Sequence, residues 1–169
     1  NIYAPVGVSF FYKKIIFPIE KKYMMERHAI VSDFIDNNIQ PGMKVTDIGC
    51  GSGVYVKRMI QKGAFVFAFD FTENALKLTK NNLTQEEQKS VRIQQLDISH
   101  DHIPIVDVAI SIGVLPYINN HKKYLENILP YTDKFFFNFL NGDHIFNFLR
   151  SNVLKFLDVR MYSYHYVNK

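Results

Sequence analysis

One stretch of the sequence combines a carboxylate with three glycines at every second position. It reads Asp47-Ile48-Gly49-Cys50-Gly51-Ser52-Gly53. Glycine lets the backbone turn tightly and approach a ligand without a clash from a Cβ atom. A helix is predicted directly after this glycine loop, and the first turn of a helix presents unpaired N–H groups and a positive dipole end. The combination favours a ligand that carries a carboxylate or another anion.

The spacing of the glycines differs from that of a dinucleotide site, whose pattern is G-x-G-x-x-G. Counted from Gly49, the third glycine of that pattern falls at Val54. Counted from Gly51, it falls at Val56. Asp47 would repel a pyrophosphate, whereas the ammonium of an amino acid can pair with its carboxylate. The loop therefore favours a nucleoside that carries an amino-acid group.

Two further carboxylates stand at the ends of predicted strands. Asp70 directly follows the apolar run 64–69, and Asp97 follows the next predicted strand. A carboxylate can accept hydrogen bonds from two adjacent hydroxyl groups. Each acid alone could be a turn or cap residue. Together with Asp47 they occupy three consecutive strand ends, which favours one shared site.

The elements that position these residues alternate between strand and helix periods. Residues 9–38 are predicted to be helical with a break at Pro18. The later strands are predicted at 44–48, 64–69, 91–96, 106–112 and 134–140, and the helices at 54–61, 72–83, 121–129 and 145–157. Thr72 is the predicted N-cap of its helix, and the second and fourth strands are expected to be buried on both faces. This order predicts a doubly wound α/β fold with a mostly parallel sheet, which binds ligands beyond the carboxyl ends of its strands.

These motifs resemble those of the class I S-adenosylmethionine-dependent methyltransferases, small-molecule type, over about residues 40–140. The resemblance implies a Rossmann-like methyltransferase fold that converts S-adenosylmethionine to S-adenosylhomocysteine. It implies that Asp70 holds the ribose hydroxyls, that Asp97 takes the adenine amino group and that Ile98 lines the adenine ring. The implied cofactor-binding residues are Asp47, Gly49, Cys50, Gly51, Gly53, Asp70, Phe71, Asp97, Ile98 and Ser111.

The residues after the fourth predicted strand bear on the methyl acceptor. The Asn/Asp-Pro-Pro-Tyr/Phe signature of amino-group methylation is missing there. Pro116-Tyr117 comes later and is interpreted as the start of the next helix. A small-molecule acceptor, through oxygen or carbon rather than nitrogen, is therefore favoured. An RNA or protein methyltransferase and a non-catalytic S-adenosylmethionine-binding module stay open as alternatives.

The sequence does not identify a catalytic base. The candidates are His144 after the fifth strand, Tyr117 where related enzymes often have a histidine, and Tyr12 near the N-terminus. His144 could equally be an exposed histidine at a helix start. Residues 1–40 are predicted to form a helical lid segment, and residues 41–169 the methyltransferase domain, within a single domain overall.

Composition and charge bear on location and partners. The chain has 169 residues, one cysteine and a net charge of +4, with no apolar run long enough to span a bilayer. A cytoplasmic protein is therefore expected, with nucleic acid a less favoured partner. The His100-Asp101-His102 stretch offers too few ligands for a metal, so none is predicted. Residues 10–17, aromatic and basic, either pack as part of the lid or contact an anionic membrane. The oligomeric state is not predicted.

The C-terminal residues predict an unfinished sheet. Related domains close their sheet with a further helix and an antiparallel pair of strands after the fifth strand. Here residues 159–166 form a short β-prone stretch near the end of the sequence. The chain is therefore expected to be a fragment or to lack the C-terminal closing hairpin, which leaves the fifth strand as an open edge.

Overall fold

The structure, a computed structural model, describes Lys14 and residues 17–139. The chain divides into two units, Asn1–Asn37 and Asn38–Lys169. The first unit contains most of helix α1, Phe17–Asn38. Pro18, the site of the predicted break, lies in the first turn of α1. The N–H groups of a first turn have no intrahelical partner, so the missing N–H of proline costs nothing there.

The second unit alternates strands with helices. Its strands are β1 Lys44–Ile48, β2 Phe65–Asp70, β3 Val91–Gln95, β4 Val106–Ser111 and β5 Thr132–Phe137. Its α-helices are α2 Val54–Gln61, α3 Glu73–Asn81 and α4 His121–Glu126. Short 3₁₀ turns occupy Glu87–Ser90, Leu115–Tyr117 and Leu129–Tyr131.

The five strands form one parallel sheet in the order β3-β2-β1-β4-β5. The chain moves outward from β1 to β3 and then returns to add β4 on the other side of β1. The strand order therefore reverses between β1 and β4, where sheets of this kind open a crevice for ligands. Ile48 pairs with both Phe69 and Ser111, so the carboxyl ends of the three central strands are level. The predicted doubly wound α/β fold is confirmed.

The central strands supply the core of this unit. In β1 every residue from Val45 to Ile48 is buried, and β4 is buried except at Asp107. Helices on both faces of a parallel sheet remove the need for polar alternation. Phe65, at the amino end of β2, is exposed, contrary to the predicted burial of that whole strand.

The segment between β4 and α4 corrects another prediction. Pro116-Tyr117 does not begin the next helix but belongs to a separate 3₁₀ turn. Helix α4 begins at His121, because the Asn120 side chain accepts a hydrogen bond from the Lys123 N–H at 3.0 Å. A side-chain acceptor at this position satisfies an N–H group that the helix leaves unpaired. The predicted strand 134–140 is likewise shifted, since β5 ends at Phe137.

Several predictions lie outside the described residues. They concern the helix at 145–157, the β-prone stretch at 159–166, the closing hairpin, and the lid and membrane contact at 10–17 apart from Lys14 and Phe17. Within the part of the chain that is described, no helix combines the length and apolar character needed to cross a membrane.

Candidate functional site

The glycine loop between β1 and α2 is a tight turn anchored on β2. The N–H groups of Gly49 and Cys50 both donate to the carbonyl oxygen of Phe69, at 2.8 and 2.9 Å. Gly49, Gly51 and Gly53 have φ angles of 74°, 56° and 77°. Residues with a Cβ atom rarely adopt this left-handed region. The backbone conformation therefore explains why glycine occurs at all three positions.

The three glycines differ in what a side chain would meet. A Cβ atom on Gly49 would collide with the side chain of Val114, and one on Gly53 would lie 2.9 Å from Cγ2 of Thr79. At Gly51 the nearest atom would be the carbonyl oxygen of Gly49, at 4.0 Å. Gly49 and Gly53 thus make room for other parts of the protein, whereas no atom of the described residues crowds Gly51.

Asp70 joins the glycine loop to the start of α3. Its Oδ2 accepts a hydrogen bond from the Gly51 N–H at 3.1 Å. Its Oδ1 accepts hydrogen bonds from the N–H and the hydroxyl of Thr72, each at 2.9 Å. Thr72 does precede α3 as predicted, but its hydroxyl binds Asp70 instead of capping the helix. Three donors hold the carboxylate in one orientation at the carboxyl edge of the sheet.

Asp47 is buried, with 1% of its surface exposed. Its Oδ2 has no hydrogen-bond partner among the described residues. Burial, and secondly the charge of Asp70, raise the pKa of Asp47 to about 7. A buried carboxylate without a partner is costly to ionise until a cation or a donor approaches it. The electrostatics therefore suit a positively charged group of a ligand.

Asp97 is held within its own loop after β3. Its Oδ1 accepts a hydrogen bond from the Ser99 N–H at 2.9 Å, and its Oδ2 lies 3.0 Å from Nδ1 of His100. Burial alone would raise the pKa of Asp97, but the hydrogen bonds from Ser99 and His100 outweigh it and hold the pKa below its ordinary value. Ile98, the next residue, is buried, while Phe71, which follows β2, is 65% exposed.

Ser111 ends β4 on the face that packs against α4. It is 1% exposed, and Tyr124 of α4 is fully buried on the same face. Burial raises the pKa of Tyr124 to about 12, an effect that the neighbouring Ser111 hydroxyl partly offsets. Neither hydroxyl makes a hydrogen bond of ordinary geometry to a described residue. The predicted residue Ser111 thus lies at the carboxyl edge, but its side chain is closed off from solvent.

The segment after β4 is positioned by two contacts that the sequence did not indicate. Val114 occupies the space that Gly49 leaves empty. The Gly113 N–H donates to Oδ1 of Asn138 at 2.6 Å, which ties the segment to the end of β5. Tyr117 follows in the 3₁₀ turn and is 52% exposed. Both contacts join residues distant in sequence, so no local spacing could have predicted them.

The other predicted candidates stand as follows. His144 and Tyr12 lie outside the described residues. His100 faces Asp97, and His102 stacks on Tyr131 with ring centres 4.5 Å apart. The described part of the chain contains no group of three or more His, Cys, Asp or Glu that could hold a metal ion.

Cys50 should be unreactive in the folded protein. It is 6% exposed, and burial, together with the charge of Asp47, raises the pKa of its thiol to about 12. Since only the thiolate reacts with alkylating agents, we expect negligible labelling by iodoacetamide at pH 8, and complete labelling in guanidinium chloride. Mass spectrometry of both samples measures this. Fast labelling of the native protein would contradict the closed loop described here.

The fold and the site define a class of protein. Residues 39–153 match the family model of a methyltransferase domain. The chain therefore belongs to the methyltransferase-domain family, and the resemblance to class I S-adenosylmethionine-dependent methyltransferases is confirmed for the family and the fold.

Matches to individual curated proteins cover less of this chain than the family model does. The chain is 37% identical over 71 residues to a ubiquinone biosynthesis O-methyltransferase of Aromatoleum aromaticum, covering 41% of this chain and 30% of that protein. It is 30% identical over 98 residues to a ribosomal protein L11 methyltransferase of Caldanaerobacter subterraneus, covering 53% and 32%. The matches thus span about a third of either curated relative.

Among solved structures, the chain is similar to magnesium protoporphyrin IX methyltransferase of Synechocystis PCC 6803 with bound S-adenosylhomocysteine. The TM-score is 0.68 at 19% identity, and the alignment covers 99% of this chain and 75% of that one. At this level of identity the likeness establishes the fold alone.

Proposed function

We propose that this chain binds S-adenosylmethionine at the carboxyl ends of β1 and β2 and directs its methyl group to a small-molecule acceptor. One observation carries the proposal. Two carboxylates flank the glycine loop: Asp47, whose buried Oδ2 has no partner among the described residues, and Asp70, which three donors fix at the carboxyl edge of the sheet. Beyond the chain neighbours of Gly51, no described atom lies closer than 4.0 Å to a Cβ placed on it. Family membership supports the same cofactor.

The chemical groups of the cofactor match the loop one by one. Asp47 would pair with the ammonium, because its buried Oδ2 has no hydrogen-bond partner among the described residues. Asp70 would accept the ribose hydroxyls, and three protein donors already use three of its roughly four acceptor positions. Binding of both hydroxyls therefore requires the Thr72 hydroxyl to turn away. The first turn of α2 leaves N–H groups for the carboxylate.

S-adenosylmethionine supplies an electrophilic methyl group. The chain's own contribution is to hold the two reactants in line and to exclude water, which accounts for much of the rate in reactions of this type. The acceptor would approach beside Val114 and Tyr117, since this segment adjoins the glycine loop through Gly49. No catalytic base is assigned, and His144, Tyr117 and Tyr12 stay candidates.

An oxygen acceptor is supported by the name of the ubiquinone relative, an O-methyltransferase. The ribosomal protein L11 relative favours the second candidate, a protein acceptor. Transfer of labelled methyl from S-adenosylmethionine separates the two, with phenolic quinone precursors in one assay and ribosomal protein in the other. Incorporation into the phenol alone is expected, and incorporation into protein alone would contradict the small-molecule proposal.

The cofactor is tested by thermal unfolding of the full chain. We expect S-adenosylhomocysteine at one hundred times its dissociation constant to add about 2.7 kcal/mol to the unfolding free energy. Asp70→Ala should remove most of this gain, whereas Asp133→Ala, on an exposed residue of β5, should keep it. The proposal fails if a folded wild-type sample shows no shift. A comparable shift with NAD would point to a dinucleotide site.

A further inference from the structure

Two side chains near the end of α3 hold the glycine loop from outside the site. The Thr79 hydroxyl donates to the carbonyl oxygen of Gly51 at 3.0 Å and lies 3.5 Å from Sγ of Cys50. Asn82, which follows the last turn of α3, donates through Nδ2 to the carbonyl oxygen of Ser52 at 2.9 Å. Two consecutive carbonyl groups of the loop are thus held by one helix.

The fit between α3 and the loop is close. Thr79 is fully buried. A Cβ atom on Gly53 would lie 2.9 Å from Cγ2 and 3.1 Å from Oγ1 of Thr79. The third glycine of the loop is therefore needed for Thr79 to reach its place. The contact with Thr79 explains why residue 53 is a glycine although it faces the protein and not the ligand side.

The two hydrogen bonds also determine where the loop's N–H groups point. A trans peptide unit is planar, so its N–H and carbonyl groups point in opposite directions. The carbonyl of Gly51 and the N–H of Ser52 belong to one such unit. Because Thr79 holds that carbonyl, the Ser52 N–H points away from α3. The next N–H, that of Gly53, already donates to the carbonyl of Cys50 at 2.8 Å.

We propose that Thr79 and Asn82 are positioning residues: Thr79 aims the Ser52 N–H at the amino-acid carboxylate of the bound cofactor, and Asn82 holds the next peptide unit so that the loop keeps this orientation. The inference rests on the proposed function. Neither residue needs to touch the ligand, because each acts through a backbone carbonyl of the loop. Loss of either bond would let the loop rotate, and it would weaken recognition of the amino-acid end more than of the adenosine end.

Isosteric variants of the full chain separate this role from simple stabilisation. Thr79→Val removes the hydroxyl and keeps the shape, while Thr79→Ser keeps the hydroxyl. Asn82→Asp removes the donor, and Asn81→Asp makes the same change of charge at the neighbouring exposed residue of α3. Calorimetry measures the affinity for S-adenosylhomocysteine and for 5′-methylthioadenosine, which lacks the amino-acid carboxylate and ammonium.

We expect Thr79→Val and Asn82→Asp each to weaken S-adenosylhomocysteine binding about tenfold, equivalent to about 1.4 kcal/mol, the scale of one net hydrogen bond. Binding of 5′-methylthioadenosine should stay within about twofold, equivalent to less than 0.5 kcal/mol. Thr79→Ser and Asn81→Asp should bind both ligands as the wild type does.

Equal losses for both ligands, or no loss, would overturn the inference while leaving the proposed function intact. A wild-type protein that binds neither ligand would instead refute the proposed function itself. If Thr79→Val does not fold, the comparison of Asn82→Asp with Asn81→Asp decides the question, because both positions lie at the exposed end of α3.

Discussion

Replacing Asp47 with asparagine is expected to stabilise the protein above pH 7 and to weaken its binding of S-adenosylhomocysteine. Asp47 is buried and its Oδ2 lacks a partner among the described residues. Burial, and then the charge of Asp70, raise its pKa from 3.8 to about 7. A carboxamide carries no charge, so it avoids the cost of ionisation, but it also loses the attraction for a ligand ammonium.

The sign of the pH dependence follows from proton binding. Between pH 3.8 and about 7 the folded protein keeps the Asp47 proton while the unfolded chain has lost it. Stability contributed by this proton is complete below pH 3.8 and is lost as the pH rises through about 7. A tenfold change in proton affinity corresponds to about 1.4 kcal/mol. The pKa rises from 3.8 to about 7, which is roughly three tenfold changes, so the full loss of stability is on the order of 4 kcal/mol.

Urea unfolding of the full chain at several values between pH 5 and pH 8 measures this effect. The difference in unfolding free energy between Asp47→Asn and the wild type should grow with pH up to about 7 and level off above it. Asp133→Asn, which removes the same charge from an exposed position of β5, serves as the control and should follow the wild type. Parallel curves for Asp47→Asn and the wild type would show that Asp47 is not buried as described.

Gly51→Ala is expected to abolish most cofactor binding at a moderate cost in stability. The φ angle of 56° strains a residue with a Cβ atom, which costs about 1–2 kcal/mol. The added methyl group projects into the open space where the ligand is proposed to lie. Overlap of one methyl group with a packed ligand costs about 1–3 kcal/mol, or a roughly fivefold to 150-fold loss of affinity.

Two other glycines are controls for the backbone and the packing effects. Gly42, in the turn before β1, has a φ of 85°, and no atom in the described part of the chain lies within 4 Å of an added Cβ. Gly42→Ala should therefore lose stability as Gly51→Ala does but keep its affinity. Gly53→Ala adds a collision with Thr79 to the backbone strain. It should be the least stable of the three, by a further amount of about 1–3 kcal/mol.

Calorimetry with S-adenosylhomocysteine and chemical unfolding give both quantities for each variant. An affinity for Gly51→Ala equal to that of Gly42→Ala would contradict the proposed approach of the ligand to Gly51. A Gly53→Ala variant as stable as Gly42→Ala would contradict the packing of Thr79 against the loop.

Much of the site was predictable because its residues stand at strand ends. Asp47, the glycine loop and Asp70 are brought together, as the pattern of apolar runs followed by acids predicted. Parallel strands place their carboxyl ends at one edge, so residues distant in sequence meet without any knowledge of the packing. The interpretation of Pro116-Tyr117 failed for the opposite reason. The start of the next helix depends on the Asn120 side chain, which caps α4 so that this helix begins at His121.

The sequence by itself determined the order of strands and helices, the parallel sheet and the class of ligand, because hydrophobic periods, glycine positions and carboxylate positions are local properties. The tertiary structure alone decided which glycine faces open space and which makes room for Val114 or Thr79. It also decided that Oδ2 of Asp47 lacks a partner within the described part of the chain while Asp70 has three donors. These properties depend on side chains from other elements, whose approach is set by packing and not by spacing along the chain.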